Sequence, residues 1–426
     1  MSEPKTRKEF LKTVSAGSLA GWAGVTLPPT AAAFSAKEES TDGQQVIEPN
    51  MIGAYGPWAD QLYGHEPGRL SFRNDRWRHL EDWRREAQAR FSDLLARPDA
   101  GGTPRVIVHE TLQYDGLHIE RLSWQLPYGP PTEAYLLKPA GASGPLPGVL
   151  ALHSHGGNKY FGKRKIAQTS AEQHPMLGPF QENYYGGRSW ANALAKRGYV
   201  VLVPDAFAFE SRRVRVADVT DRIKRDGRDV TREEREEDIV AYNQWAGNHE
   251  HILSKSLFCA GTTWPGVFVA EDQRALDVLE ERPDVDASRL GCCGLSGGGL
   301  RSVMLGGLDP RVEAAASVCM VSTWRDYLLY NSFTHTWMIY IPHLPREMDY
   351  SEIFSLQAPK PRFVLGCEED SIFDYNEQRR SHRILHEVYE KAGASSQLRT
   401  QFYPGGHKFD QQMQEDAFDW FDEQIG

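Results

Sequence analysis

The chain has 426 residues, a net charge of −10 and a pI of about 5.8, so it lacks the basic excess that nucleic-acid binding requires. Hydrophobic residues make up 40% and charged residues 25% of the sequence, proportions typical of a globular protein with a sizeable core. Five cysteines are too few for a disulfide framework in a chain of this length. Cys292 and Cys293 lie in an apolar run, which predicts buried thiols.

The first 36 residues have the features of an export signal. The segment "TRKEFLK" precedes an apolar stretch, and "PPTAAA" supplies small residues suited to a signal peptidase. This pattern resembles a twin-arginine signal in which Lys8 replaces the second arginine. We therefore expect a periplasmic or extracellular protein, the alternative being a disordered cytoplasmic tail. No later segment approaches membrane-spanning length, so we predict no membrane span in the mature chain.

Residues 37–104 are predicted to form a linker followed by a helical extension. Apolar side chains recur at steps of three and four residues between Asp75 and Arg97, which predicts a helix there. Pro98 and the two glycines that follow Ala100 predict its end.

From residue 105 to the end, the sequence predicts a single catalytic domain rich in strands and helices. The segments "RVIVHETLQ", "HIERLSWQLP" and "TEAYLLKPA" have β-strand character. Apolar strands such as "GVLALHSHGG", "YVVLVPDAF" and "RLGCCGLS" then alternate with amphipathic helices. This alternation predicts an α/β fold in which a mostly parallel sheet is covered by helices on both faces.

Two insertions interrupt the alternation, at about 211–262 and 324–356. The first is highly charged, and we interpret it as a solvated helix face. Within it, Thr231 and Glu234 have the spacing of a capping box, which predicts a helix start near Arg232. The second insertion is rich in aromatic residues, and core packing and a pocket wall are equally consistent with its composition.

The segment Gly294-Leu295-Ser296-Gly297-Gly298 matches the pattern Gly-x-Ser-x-Gly between an apolar strand and an apolar helix. In that setting a serine occupies a strained turn, and glycines two residues away on either side avoid a steric clash. The hydroxyl is then exposed at a helix N-terminus, where the helix dipole favours negative charge. We predict that Ser296 is a catalytic nucleophile.

A serine nucleophile needs a base, and the base needs an anion. His407 follows the last predicted strand in "FYPGGHKF", and Asp370 ends the acidic run after the preceding strand. We prefer Asp370 to Glu368 and Glu369, which are predicted to be still leaving the strand. Other histidines do not directly follow a strand of the alternating pattern: His335, His343 and His382. The chain order Ser296, Asp370, His407 is that of the α/β-hydrolase nucleophile, acid and base.

An oxyanion hole requires backbone N–H donors close to the nucleophile. We predict that Gly297 is one donor and that Gly156 or Gly157, in "HSHGGNK", is the other. The histidines in this segment, and the sequence His249-Glu250-His251, raise the alternative of a metal site. Because no carboxylate or cysteine partner has suitable spacing, we predict no metal ligands.

Residues from about 105 to 424 resemble α/β-hydrolases of the dienelactone-hydrolase and acetyl-xylan-esterase-like group. The resemblance is carried by "HSHGG", "LAKRGYVVLVPDAF", "RPDVDASRLGCCGLSGGG", "GCEEDSIF" and "YPGGHKF". It implies an ester hydrolase that needs no cofactor. Enzymes named for dienelactone hydrolysis use a cysteine nucleophile, whereas Ser296 occupies that position here.

The sequence therefore predicts a serine carboxylic-ester hydrolase that acts through an acyl-enzyme on a small-molecule or carbohydrate ester. Two alternatives are a prolyl-oligopeptidase-like peptidase without a propeller and a catalytically inactive binding protein of the same fold. The oligomeric state is left open.

Overall fold

Nine strands form one sheet in the computed structural model, which describes residues 49–64 and 66–426. The strands are β1 (Ile107–Tyr114), β2 (Leu117–Trp124), β3 (Thr132–Pro139), β4 (Leu146–Leu152), β5 (Val200–Pro204), β6 (Val285–Leu295), β7 (Val312–Val318), β8 (Arg362–Cys367) and β9 (Leu398–Tyr403). Their spatial order is β1-β2-β3-β5-β4-β6-β7-β8-β9. The predicted export signal, residues 1–36, lies outside the described residues.

The sheet is mostly parallel, as predicted. Strands β5, β4, β6, β7, β8 and β9 pair in parallel, whereas β1, β2 and β3 form an antiparallel meander whose last strand pairs antiparallel with β5. The parallel strands β4, β5 and β8 are almost wholly buried, which explains their continuous apolar sequences. Parallel strands place their carboxyl ends at one edge, which is where binding sites form in open α/β sheets.

The helices have the following bounds: α1 (Gly56–Tyr63), α2 (Leu80–Leu95), α3 (Leu177–Tyr185), α4 (Trp190–Lys196), α5 (Asp221–Lys224), α6 (Glu236–Cys259), α7 (Trp264–Glu280), α8 (Gly297–Leu308), α9 (Trp324–Asp326), α10 (Tyr350–Phe354), α11 (Tyr375–Lys391) and α12 (Gln411–Ile425). Short 3-10 or π turns occur between them. In the part of the chain described, no helix combines the length and apolarity needed to cross a bilayer.

Helices cover both faces of the sheet, as the alternating sequence predicts. One apolar core contains side chains from α2, α7, α8, α10 and α11, with Trp83 and Phe268 among them. A second core contains side chains from α4 and α12, including Trp190 and Phe418. The sheet therefore separates two hydrophobic layers.

The predicted N-terminal helix is shorter than its apolar pattern suggests. Helix α2 begins at Leu80 rather than near Asp75, and it ends where Ala96 takes a left-handed conformation with φ of 49°. The Trp83 indole N–H donates to the Leu70 carbonyl at 2.6 Å, inside the core. The segment before the helix is therefore fixed by a buried tryptophan and is irregular in structure.

The charged insertion contains a long helix whose start was predicted wrongly. Helix α6 begins at Glu236, and Glu234 has a φ of 47°, which is incompatible with a capping box at that position. The Glu234 carboxylate instead accepts hydrogen bonds from Arg164, at 3.0 Å, and from the Tyr160 hydroxyl, at 2.9 Å. The solvated interpretation was also incomplete, because one side of α6 is buried and includes Trp245 and Glu250.

The core interpretation of the aromatic insertion describes part of it, and the pocket-wall interpretation stays a prediction. Trp324, Tyr327 and Tyr350 are buried in the core. Other aromatic side chains of the same segment are solvent-exposed: Tyr330, Phe333 and Trp337. We call these last three residues the aromatic rim.

Candidate active site

Ser296 lies in the turn between β6 and α8. Its φ of 56° and ψ of −116° are unusual for a non-glycine residue and store strain in the turn. The Ser296 N–H donates to the Val318 carbonyl at 2.9 Å, and its carbonyl accepts from Leu300 N–H at 2.8 Å. The strained conformation is thus held by the neighbouring strand β7 and by the first turn of α8.

The glycines around Ser296 are required by close backbone approach. A Cβ on Gly294 would lie 2.7 Å from the Gly298 Cα, and one on Gly298 would lie 2.0 Å from the Leu152 carbonyl oxygen. Gly299, which we expected only to ease the start of the helix, is also sterically constrained. A Cβ there would lie 2.9 Å from both the Val318 oxygen and the Met320 Cβ.

The predicted base and acid are in direct contact. His407 Nδ1 and Asp370 Oδ2 are 2.7 Å apart, and the Asp370 side chain is fully buried. The second Asp370 oxygen accepts the Ile372 N–H at 2.9 Å. Glu369, one position earlier, is exposed, so the preference for Asp370 over its acidic neighbours matches this geometry.

Two backbone hydrogen bonds join the loops that carry this pair. Glu368 N–H donates to the Tyr403 carbonyl at 2.9 Å, and Glu369 N–H donates to the Gly405 carbonyl at 3.0 Å. The loops after β8 and β9 therefore continue the sheet pairing past the strand ends. This extension fixes the separation of Asp370 and His407.

Ser296 shares a sheet edge with the acid–base pair but is not hydrogen-bonded to it. Ser296 follows β6, Asp370 follows β8 and His407 follows β9, all at the carboxyl edge. Among residues 49–64 and 66–426, no hydrogen bond joins the Ser296 hydroxyl to His407. Such bonds are often long before substrate binds, so this gap is compatible with a serine–histidine relay.

The glycine loop after β4 lies against the serine turn. Leu152, the last residue of β4, pairs in register with Gly294 of β6. Gly156 and Gly157 have φ values of 54° and 65°, conformations that favour glycine. A Cβ on Gly297 would lie 3.1 Å from the His155 nitrogen, so the loop backbone directly contacts the predicted oxyanion donor.

A second histidine–carboxylate pair lies beside the glycine loop. His155 Nε2 and Glu250 Oε1 are 2.7 Å apart, and the Lys159 ammonium lies 2.8 Å from the same oxygen. Burial alone would raise the pKa of Glu250, but Lys159 and His155 bring it down to about 2. Glu250 comes from α6, and the sequence offered it as part of a charged surface or, with its flanking histidines, as a metal ligand.

His335, one of the competing histidines, lies close to the acid–base pair. Its ring packs 4.8 Å from the rings of Tyr327 and Phe373, and Phe373 stacks on His407 at 6.1 Å. Burial, with the nearby His407, lowers the pKa of His335 to about 4, so its ring is neutral at neutral pH. Through Phe373, His335 therefore forms part of the wall around His407.

The histidines considered for a metal site have other partners. His153 lies 3.1 Å from the Ser154 carbonyl through Nδ1 and 3.1 Å from the Ala206 nitrogen through Nε2. His249 stacks on Trp245 with ring centres 4.8 Å apart. One group of three potential ligands occurs in the described part of the chain, formed by Cys319 with Asp370 and His407.

The fold is similar to that of α/β-hydrolase esterases. The dienelactone hydrolase family matches residues 185–419, more than half of the chain, and the chain belongs to this family. The chain is 27% identical over 277 residues to YtaP of Bacillus subtilis (strain 168), a protein named as a hydrolase. The aligned region covers 64% of this chain and 77% of YtaP.

Solved structures with the same fold include carbohydrate esterases by name. One is a Bacteroides fragilis NCTC 9343 protein named as an acetyl xylan esterase, with a TM-score of 0.61, 17% identity and coverage of 86% of this chain and 84% of that chain. Another is a glucuronoyl esterase from Solibacter usitatus, with a TM-score of 0.54, 18% identity and coverage of 80% and 92%. At these identities the similarity establishes the fold.

Proposed function

We propose that this protein is a serine-dependent carboxylic-ester hydrolase. The observation that carries the proposal is the 2.7 Å contact between His407 and buried Asp370 at the sheet edge where strained Ser296 also lies. A carboxylate at Nδ1 fixes the imidazole tautomer and leaves Nε2 free to accept a proton. The turn at Ser296 places this half-buried residue at the N-terminus of α8.

In the proposed reaction, the Ser296 oxygen attacks the ester carbonyl carbon while His407 Nε2 accepts the hydroxyl proton. The resulting oxyanion is stabilised by the N–H of Gly297 and by Gly156 or Gly157. His407 returns the proton to the leaving alcohol, which leaves an acyl-enzyme. Water, activated by His407, then attacks the acyl carbon and releases the acid and free Ser296.

We further propose that the substrate is an ester of a carbohydrate. The three exposed side chains of the aromatic rim support this, with Phe333 exposed to 77%. They belong to the same segment as His335, whose ring contacts Phe373 next to His407. Flat apolar faces beside a hydrolytic site suit the C–H faces of sugar rings. The names of the Bacteroides fragilis and Solibacter usitatus proteins point in the same direction.

The export prediction from "TRKEFLK" fits a glycan substrate outside the cytoplasm, and we retain it as a proposal. Cell fractionation of a tagged full chain, compared with a Arg7→Ala and Lys8→Ala double variant, tests it. Retention of the wild-type chain in the cytoplasm would favour the cytoplasmic alternative.

The nucleophile is tested by Ser296→Ala with p-nitrophenyl acetate as substrate. We expect kcat/KM to fall by several orders of magnitude, because the covalent step is lost. Ser302→Ala is the matched control, since this buried serine lies in the same helix and donates only to the Gly298 carbonyl at 3.0 Å. Near wild-type turnover by the Ser296 variant would contradict the proposal.

Two further assays separate the alternatives. Labelling of Ser296 by a fluorophosphonate rejects an inactive binding protein, and absence of labelling supports one. Release of acetate from acetylated xylan, together with no cleavage of prolyl-peptide amides, rejects the peptidase. The double variant Phe333→Ala, Trp337→Ala removes two of the three side chains of the aromatic rim. It should raise KM for acetylated xylan and leave KM for p-nitrophenyl acetate unchanged.

A further inference from the structure

A buried lysine lies directly behind the glycine loop. Lys165 has no exposed surface, and its ammonium donates to the Ser154 carbonyl at 2.8 Å and to the His155 carbonyl at 2.9 Å. No carboxylate of residues 49–64 and 66–426 forms an ion pair with it. Burial and the nearby Lys159 lower the pKa of Lys165 well below its usual value, because a charged amine without a counter-ion is unfavourable in this position. This unfavourable burial suggests that Lys165 has a role beyond packing.

The two carbonyls that Lys165 holds determine where the next two N–H groups point. Both peptide bonds are trans, and in a planar trans peptide the N–H points opposite to the carbonyl. The N–H groups of His155 and Gly156 therefore point away from Lys165. A Cβ on Gly297 would lie 3.1 Å from the His155 nitrogen, so the first of these N–H groups is next to the other predicted donor. Neither N–H has a hydrogen-bond partner in the described part of the chain.

We propose that Lys165 is a positioning residue of the oxyanion hole, which orients the His155 and Gly156 N–H groups toward the ester carbonyl attacked by Ser296. The inference rests on the proposed function, because it assigns a role within that reaction. It also selects Gly156 over Gly157 as the second glycine donor.

The Gly157 N–H, unlike that of Gly156, is hydrogen-bonded to the side chain of His155. The Gly157 N–H donates to His155 Nδ1 at 3.0 Å, so it is already satisfied within the loop. That contact requires Nδ1 to be unprotonated, which leaves the proton on Nε2 to bond Glu250 at 2.7 Å. Glu250 of α6, paired with Lys159, thereby holds the ring, while Lys165 holds the backbone of the loop.

The surroundings of Lys165 leave the loop little freedom. The ammonium lies 4.7 Å from the Phe209 ring centre and 5.6 Å from that of Phe180, distances at which aromatic faces attract a cation. Phe180 also lies where a Cβ on Gly156 would be, at 2.6 Å. The aromatic side chain that lines the lysine therefore requires glycine at the predicted donor position.

The test replaces Lys165 with methionine, which keeps most of the volume and removes the donor. We expect kcat for p-nitrophenyl acetate to fall by about 10- to 100-fold with KM changed less than about threefold, since the donors are misaligned and not deleted. The affinity for an alkyl trifluoromethyl ketone, whose adduct with serine carries an oxyanion, should fall by a similar factor. Tyr185→Phe is the control, because Tyr185 donates to the Ser154 hydroxyl at 2.8 Å and contacts neither carbonyl.

The readouts separate this proposal from the proposed function. If the wild-type enzyme is not labelled by a fluorophosphonate at Ser296, the proposed function fails. If Ser296 is labelled and Lys165→Met retains kcat within threefold, the positioning role fails and the function stands. A fall in kcat that leaves the ketone affinity unchanged overturns the positioning role as well.

A second pair of variants keeps the proposal testable if Lys165→Met does not fold. Lys165→Arg retains a cationic donor and should recover part of kcat and of the ketone affinity together. Glu250→Gln weakens the hold on the His155 ring from the other side, and we expect a smaller fall in both quantities with unchanged KM. Independent changes of kcat and ketone affinity across these variants would reject the role of the loop.

Discussion

Replacing Asp370 with asparagine isolates the contribution of the acid, because the structure dictates how the amide must orient. One carboxylate oxygen accepts the Ile372 N–H at 2.9 Å, and the other lies 2.7 Å from His407 Nδ1. An asparagine must keep its oxygen toward Ile372, since the reverse orientation leaves a buried N–H without an acceptor. Its NH₂ group then faces Nδ1 and forces the imidazole proton onto Nε2. That nitrogen can no longer accept the Ser296 proton.

Two costs set the magnitude of the effect. Escaping the wrong tautomer by flipping the amide leaves the Ile372 N–H unsatisfied, at about 1–3 kcal/mol. The charge-assisted hydrogen bond to the imidazolium, inaccessible to water because the Asp370 side chain is fully buried, contributes about 1.5–3 kcal/mol more. At about 1.4 kcal/mol per decade, we expect kcat/KM to fall by roughly 10²- to 10⁴-fold.

The assay is steady-state hydrolysis of p-nitrophenyl acetate, normalised to the fluorophosphonate-labelled fraction, with thermal unfolding as the check on folding. Glu369→Gln is the matched control, because it removes the same charge at the adjacent exposed position. A loss below tenfold for Asp370→Asn, or an equal loss for Glu369→Gln, would refute the reasoning.

Two further predictions concern stability. Arg301 and Asp272 form a buried ion pair in which the Arg301 Nε and the Asp272 Oδ2 are 2.9 Å apart. Arg301→Met leaves the Asp272 charge buried without a partner, so it should lower the free energy of unfolding in urea by about 3–5 kcal/mol. Adding Asp272→Leu removes that charge and should restore much of the lost stability. Additive losses in the double variant would contradict this coupling. Burial lowers the pKa of His382 to about 3, so the unfolded chain takes up this proton near pH 6.5 while the folded chain does not. Stability should therefore fall by about 1.4 kcal/mol per pH unit below pH 6, and His382→Phe should flatten that slope. The check is the free energy of unfolding in urea at pH 7 and pH 5, and an equal difference for wild type and His382→Phe would contradict this role of His382.

The residues that the sequence identified share a simple property: each directly follows a strand of the sheet. Strand ends are readable because apolar runs stop at glycines and acids, so Ser296, Asp370 and His407 could be placed in one region without a structure. The preference for Asp370 over its neighbours followed from counting residues past a strand end. Their roles in catalysis stay predictions until Ser296 and its partners are tested.

What the sequence could not reveal are contacts made between distant segments. Glu250 lies in a helix that the sequence suggested was a solvated surface or a metal-ligand segment, and nothing local indicates that it reaches His155. Lys165 lies in the basic run "KRK", in which Lys163 and Arg164 both donate to the Glu210 carboxylate, whereas Lys165 donates to backbone carbonyls. The capping box at Thr231 failed for a similar reason, because a long-range ion pair with Arg164 outweighs a local helix signal.

The lysine-held loop also has a consequence for how the enzyme can diversify. Ser296, Asp370 and His407 fall within the 185–419 region shared with the dienelactone hydrolase family, whereas Gly156 and Lys165 precede it. Of the proposed oxyanion donors, Gly297 lies within the matched region, whereas the loop that Lys165 holds lies outside it. Exchanging residues 153–165 among relatives should therefore retune the preference for activated or unactivated esters while leaving the proton relay intact. The loop is a natural unit for recombination in directed evolution.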